Sequence, residues 1–455
     1  MTATYSAPTS LLSATRGFQG LVYSCLQDVI IKNPILGVTV IDEGTTDPKW
    51  VRLETVDLAK MVKVVQADPM ANLDGIIEDG HRTEVDQIKT LPLWHVIVIT
   101  QDTATLNSNQ ETVSFSIGFF FHHGVGDGIS GASFHISFLD ALNGLGIEST
   151  KVVLAEQNVI SIPKSPLLPT LETKCQLPLS VWYTLKKIFT TFVYSPEDPL
   201  HWWGPLVTSA APEQAPIVKL NSFALSHDMV QKLVTKCRSE KCTVNSLISV
   251  LIARKLALMY PTHSRFAGNI PFSLRKFTGN TDRDMGCFVS AAGLLFSSEA
   301  ITPRGYISCA SDSSIEASQD VNLWESARAC KAYVTASASS MTDQPVGLLK
   351  FVKNDYKAYF LGMLGKKRDS AFEVTNIMVV DGGVGVNHGA QATFDRVLFS
   401  ATPVKQAYPY SVMLATAKNG NMTSTLCWEE GVVENSIALE LNRWLETSLR
   451  EIIRT

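Results

Sequence analysis

The sequence predicts a mixed α/β protein of two domains, and three observations carry that expectation. The chain has 455 residues, 45% hydrophobic and 18% charged, which exceeds one ordinary domain and supplies apolar material for two well-filled cores. Val113, Phe115, Ile117, Phe119 and Phe121 alternate with Ser114, Ser116 and Gly118 at the period of a half-buried strand, and Phe134, Phe138, Leu139 and Leu142 follow at helical spacing. Residues 155–216 hold Pro163, Pro166, Pro169, Pro178, Pro196, Pro199, Pro205, Pro212 and Pro216, a density that disfavours long regular elements and suits a crossover linker. The expected division is an N-terminal domain over 1–155, a linker over 156–215 and a C-terminal domain over 216–455.

In chain order, Leu11, Phe18, Val22, Cys25, Leu26 and Val29 predict a helix over 11–32, and strands are expected around 35–41 and 94–100. The 113–121 strand runs into His122-His123-Gly124-Val125-Gly126-Asp127-Gly128. His123 continues its apolar parity, and the glycines turn the chain into the next helix. Within the linker, residues 181–193 are aromatic and weakly basic. Packing over the seam between domains is favoured there because only two lysines offer a polar face, with membrane contact as the alternative. The second half opens with a strand near 217–225, a helix headed by Ser226 and His227, and a further helix N-capped by Thr243. Serine-rich tracts at 297–318 and 335–340 read as loops or surface helix. A last helix over 435–453 carries Ile437, Leu439, Leu441, Leu445 and Leu449.

Thirty-nine basic against 43 acidic side chains leave a net charge of -4, so no field draws in nucleic acid. The eight cysteines form no CxxC pair, and Cys237 and Cys242 lack zinc spacing, so reduced thiols and no metal site are expected. No secretory signal opens the chain and no apolar run approaches the ~18 residues that span a bilayer, which predicts a soluble, cytoplasmic monomer.

An imidazole titrates near neutral pH and accepts a proton if its ring is held, so His123 is a candidate general base. A satisfied core histidine is the alternative, as is, for Asp127, an N-cap on the helix beginning near Ile129.

The stretch His122 to Gly128 resembles the HHxxxDG signature of the chloramphenicol-acetyltransferase-like superfamily, which includes plant HxxxD acyltransferases, peptide-synthetase condensation domains and fungal alcohol or trichothecene acetyltransferases. Further segments resemble that family in the same order: Asn33-Pro34-Ile35-Leu36, Leu91-Pro92-Leu93-Trp94, Thr243 to Ile248, Ile270 to Arg275, Ala371 to Asn376 and Trp428 to Val433. The DFGWG motif of plant members is absent, and Phe399-Ser400-Ala401-Thr402-Pro403 stands roughly in its place, which points to the fungal branch.

The resemblance implies a pseudo-dimer of two mixed α/β sandwiches with an interface tunnel that meets His123. It implies His123 as base, Asp127 turned away from the substrate towards Arg275, and His122 and Gly128 as structural support. Arg275 could instead be a solvated surface residue. Thr375 and Asn376, at the end of their strand, are implied oxyanion donors or else the polar groups of a turn. Lys366, Lys367 and Arg368, with Lys241, are candidates for coenzyme A phosphates or else solvated charges. The implied activity is O-acyl transfer, acetyl foremost, from acyl-CoA as cosubstrate to a hydroxyl of a hydrophobic acceptor of secondary-metabolite type, by direct attack and with no bound cofactor. Condensation from a carrier-protein thioester, or a tunnel that binds or rearranges a ligand, are the alternatives.

Overall fold

The alternating segment settles as the strand Thr112–Phe121, third of five in a sheet ordered Thr393–Leu398, Thr2–Pro8, Thr112–Phe121, Trp94–Thr100 and Val62–Gln66. All neighbours in it pair antiparallel except the last two strands. This computed structural model describes residues 1–83, 90–101, 111–145, 158–190, 198–207, 216–311, 319–352, 355–384, 391–404 and 406–454. Inward-facing Phe115 and Phe119 are fully buried, and Phe119 stacks on Phe134 of the helix Gly128–Gly144 with ring centroids 3.8 Å apart. That helix packs on Phe18–Lys32, so the strand period and the helix period close on one core, as expected of an amphipathic pair over a sheet.

A second, larger sheet runs in the order Val218–Leu225, Met422–Glu429, Tyr410–Ala417, Phe372–Val380, Arg265–Ser273, Val289–Ser297 and Ile307–Ser308, and His201–Trp202 pairs with Arg265–Ser273 off this path. Helices Val244–Met259, Val321–Ser339 and Asn435–Arg454 build its separate core. Thr243 caps its helix with a reciprocal capping box to Ser246, and Ser226 caps His227–Ser239, both as the sequence predicts.

The two halves are laced together. Between Phe372–Val380 and Tyr410–Ala417 the chain leaves the second sheet, and Thr393–Leu398 pairs with Thr2–Pro8 as an edge of the first. A strand of the expected C-terminal domain thus completes the N-terminal sheet. The expected boundary residues 155 and 215 lie outside the described residues, as do 191–193 of the aromatic segment and 312–318 of the first serine tract.

Several elements differ from expectation. The helix expected over 11–32 is two, Ser10–Ala14 and Phe18–Lys32, broken where Arg16 and Gly17 adopt φ of 60° and 103°. Pro34 starts a 3₁₀ turn, Pro34–Gly37, so the strand expected from 35 begins at Val38. Residues 335–339, by contrast, end a 19-residue helix on its surface, one of the two forms expected of that tract. In the last helix Leu439 faces outwards and Ala438, Leu441, Leu445 and Leu449 fill the core. Helix Val181–Ile188 buries no side chain, which overturns the expectation that it packs over the seam. No single described helix is long and apolar enough to cross a membrane.

Candidate active site

Sequence places His122 and His123 immediately after a strand that belongs to the sheet interior, and three glycines there let the chain reverse into a helix. The first sheet ends at Phe121, and the His122 N–H donates to the Leu93 carbonyl at 2.9 Å. Trp94, next in that neighbouring strand, donates its indole N–H to Leu36 at 2.7 Å, so the segments Asn33–Leu36 and Leu91–Trp94 brace the start of the turn. His123 itself is not a further strand residue, as its parity suggests, but stands exposed in the turn. His122 supports that turn, because its Nδ1 accepts from Gly124 N at 3.0 Å, and burial of the ring lowers its pKa.

Asp127 does two things that the sequence offered as alternatives. It N-caps Gly128–Gly144: Oδ1 accepts from Ser130 N at 3.0 Å, and the Ser130 hydroxyl accepts from Asp127 N at 3.2 Å. It also receives Arg275 in a fork, Nη1 to Oδ2 at 2.7 Å and Nη2 to Oδ1 at 3.0 Å, with the side chains 1% and 3% exposed. Arg275 opens a short helix, Arg275–Thr278, two residues beyond the strand expected to carry it, and it is buried rather than solvated. Its Nη2 also reaches the carbonyls of Asp284 and Gly286.

These contacts continue along 283–288. The Ser130 hydroxyl donates to the Gly286 carbonyl and accepts from Gly286 N, Ser133 donates to the Arg283 carbonyl, and Phe288 N donates to Asp127 Oδ2 at 3.1 Å. Cys287 is thereby fixed with Sγ 3.7 Å from His123 Nδ1. Burial foremost, then the Asp127 charge, pushes its thiol up to about 12, so it stays protonated at neutral pH. Local spacing carries no sign of this partner, because the contact spans 164 residues.

Gly128 sits at the seam between the halves. A Cβ there would lie 2.6 Å from Ile377 Cγ2 and 3.0 Å from Phe399 Cζ, so only glycine lets the helix start approach the second domain this closely. Thr375 and Asn376 lie within Phe372–Val380 rather than at its end. Thr375 donates its hydroxyl to Glu373 Oε1 at 2.9 Å. Asn376 Oδ1 accepts from Met378 N at 2.7 Å beside an irregularity in strand register, which leaves Nδ2 as its donor end. Glu373 is a further missed residue. It is buried, accepts from Asn269 Nδ2 at 2.9 Å and from Tyr408, and interacts electrostatically with His123; burial raises its pKa.

A cavity of about 520 Å³ is lined in part by Cys287 and Gly124, the neighbours of His123, which is not itself among its lining residues. Ile35, Trp50 and Val125 of the first half, Leu167 and Leu168 of the linker, and Phe288 of the second half make its wall mainly apolar. Lys241, Lys366, Lys367 and Arg368 do not line it. Arg368 is turned inward, with Nε donating to the Pro205 carbonyl at 2.8 Å, and burial lowers its pKa, which removes it from the exposed phosphate cluster. Lys241 stands in the turn between two helices, its carbonyl accepting from Lys331. Among the described residues no group of three or more His, Cys, Asp or Glu side chains could hold a metal ion.

The chain is 26% identical to the probable alcohol acetyltransferase crmB of Aspergillus fumigatus over 96% of its own length and 91% of that protein's. It is 22% identical to the probable alcohol acetyltransferase FCK4 of Fusarium pseudograminearum over 93% and 85%. Among solved structures it resembles the trichothecene 15-O-acetyltransferase TRI3 of Fusarium sporotrichioides, with TM-score 0.64, 14% identity and coverage of 99% of this chain and 89% of that one. The first condensation domain of the calcium-dependent antibiotic synthetase gives 0.58 at 12% identity over 99% and 91%, which shows the shared two-domain fold. Residues 82–447 match the family model for alcohol acetyltransferase, and the chain therefore belongs to that family of acyltransferases.

Proposed function

We propose that the protein transfers an acyl group, acetyl foremost, from acyl-CoA to a hydroxyl of a hydrophobic small molecule, with His123 as general base. The observation that carries this reading is the position of His123: on a turn braced by His122 and Asp127, with Cys287 at Nδ1 and a largely apolar cavity lined in part by that cysteine. In this reading Nδ1 carries the proton on the side of Sγ, which leaves Nε2 as the nitrogen that takes the acceptor's proton. The acceptor oxygen gives its proton to Nε2 and attacks the thioester carbonyl. The tetrahedral oxyanion then collapses, and the departing sulfur takes that proton back. Asn376 Nδ2 is the proposed oxyanion donor, because the Thr375 hydroxyl is already given to Glu373. Glu373, a carboxylate close enough to feel the His123 charge, favours the imidazolium that forms on attack.

The apolar cavity suits the acceptor. For the donor, exposed Lys366 and Lys367, in the turn before the Phe372–Val380 strand, are the proposed phosphate contacts. Eight unpaired thiols suit the reducing cytoplasm as the place of action.

The test varies acetyl-CoA and a hydrophobic alcohol together. Intersecting double-reciprocal lines and no acyl adduct on the intact protein after acetyl-CoA alone are expected. Parallel lines with a stoichiometric adduct would mean a covalent route.

A further inference from the structure

Helix Val181–Ile188 carries its apolar residues outward. Val181, Trp182, Leu185 and Ile188, with Phe189 just beyond, form a stripe at helical spacing, and Trp182 is 79% exposed. Such a stripe on a water-facing helix is the pattern of a surface that meets something apolar. The helix is fixed in place at its start: Ser180 donates its N–H and hydroxyl to the Asp343 carboxylate at 2.6 and 2.9 Å, and Asp343 N donates to the Pro178 carbonyl. Directly after Asp343, the turn Pro345–Phe351 contributes Val346 and Leu349 to the cavity wall and leaves Phe351 outside. Helix Tyr356–Leu361 follows with no buried side chain and with Tyr356, Tyr359, Phe360 and Leu361 exposed. Exposed Leu168 of the linker belongs to the same cavity wall.

Lysines outnumber acids around these aromatics, where Asp369 interacts with Lys187 and Tyr359, and Asp343 with Tyr183. Lys186, Lys187, Lys350 and Lys357 are exposed across 181–190, 350–352 and 355–361, and Asp355 is the acidic residue among those positions, in a chain whose net charge is -4. A second copy of the chain, placed face to face, would set these lysines against each other. Tryptophan, tyrosine and phenylalanine beside lysine suit the headgroup region of an anionic bilayer, where the rings enter the acyl boundary and the ammonium groups stay among phosphates.

We propose that this face docks on an anionic lipid surface and holds the cavity mouth against the membrane from which the hydrophobic acceptor is drawn. The acceptor clause rests on the function proposed above; the docking clause does not.

The test is co-sedimentation of the full chain with vesicles of phosphatidylcholine alone and of phosphatidylcholine with phosphatidylserine. Trp182→Ser/Leu185→Ser and Lys186→Glu/Lys187→Glu are the variants, and circular dichroism is the control for folding. Binding to the anionic vesicles that weakens as salt rises is expected, lowered at least about tenfold by the apolar pair and about 30-fold by the charge pair. Acetylation of a water-soluble short alcohol without vesicles should be unchanged in both variants. Wild-type protein that stays in the supernatant, variants that pellet equally, or a concentration-dependent dimer abolished by Trp182→Ser/Leu185→Ser would overturn docking. Normal vesicle binding by a chain that acetylates no alcohol in either setting would overturn the acceptor clause and leave docking standing.

Discussion

Asp127 and Arg275, 148 residues apart, form a forked ion pair at 2.7 and 3.0 Å that fastens the turn carrying His123 to the second domain. The same carboxylate caps a helix and holds Phe288 N, so one side chain sets both the histidine turn and the thiol beside it. Removing one partner of a buried pair leaves the other charge uncompensated, typically at ~3–5 kcal/mol. Asp127→Ala should therefore lower both the denaturation midpoint and activity. An unchanged midpoint would mean that the pair does not join the halves.

Gly128→Ala should cost about 1–3 kcal/mol, because the added methyl group would overlap Ile377 and crowd the Phe399 ring at the domain seam. Denaturant titration measures it. A variant as stable as wild type would show that the seam is looser than the 2.6 Å approach indicates.

Glu373→Gln should lower kcat about 10- to 100-fold with little change in KM, since it removes a negative charge that favours the His123 imidazolium while keeping the size of the side chain. Unaltered kcat would reduce Glu373 to a packing role.

Stability should fall as pH drops from about 6.5. Burial lowers His81 and His135 to about 3, and His95 and His201 to about 4. Below about 6.5 the unfolded chain binds protons that the folded chain refuses, so stability is present above the unfolded pKa and is lost as pH falls towards the folded values. Fully buried His135, bonded to Tyr5 and the Met1 carbonyl, contributes about 1.4 kcal/mol per pH unit in that window. Glu373, Asp74 and Asp369, whose pKa values burial raises, act in the opposite sense and are fewer. Melting at pH 7.5 and pH 5 tests the sign, and equal melting temperatures would contradict it.

Local chemistry was legible in the chain because it is written in local spacing. The period of two in 113–121, the cap at Thr243 and the turn of His122 to Gly128 each need only near neighbours. Asp127-x-x-Ser130 also carried its capping box in plain view. What stayed hidden depends on distant segments meeting. Cys287 reaches His123 only because Ser130, Ser133 and Asp127 hold 283–288, and Thr2–Pro8 becomes an interior strand only because Thr393–Leu398 crosses to pair with it. Glu373 had a faint signal: a carboxylate between Phe372 and Val374 in an apolar strand has to be buried among donors. The exposure of helix Val181–Ile188 is not legible in its composition, which fits a packed helix and an exposed one equally well.

The central claim is that His123 takes the acceptor's proton. The most direct measurement is kcat for acetyl transfer from acetyl-CoA by His123→Ala against wild type, with melting temperature as the control for folding. The account predicts a loss of ~10²–10⁴-fold at an unchanged melting temperature; near wild-type turnover by the folded variant would contradict it.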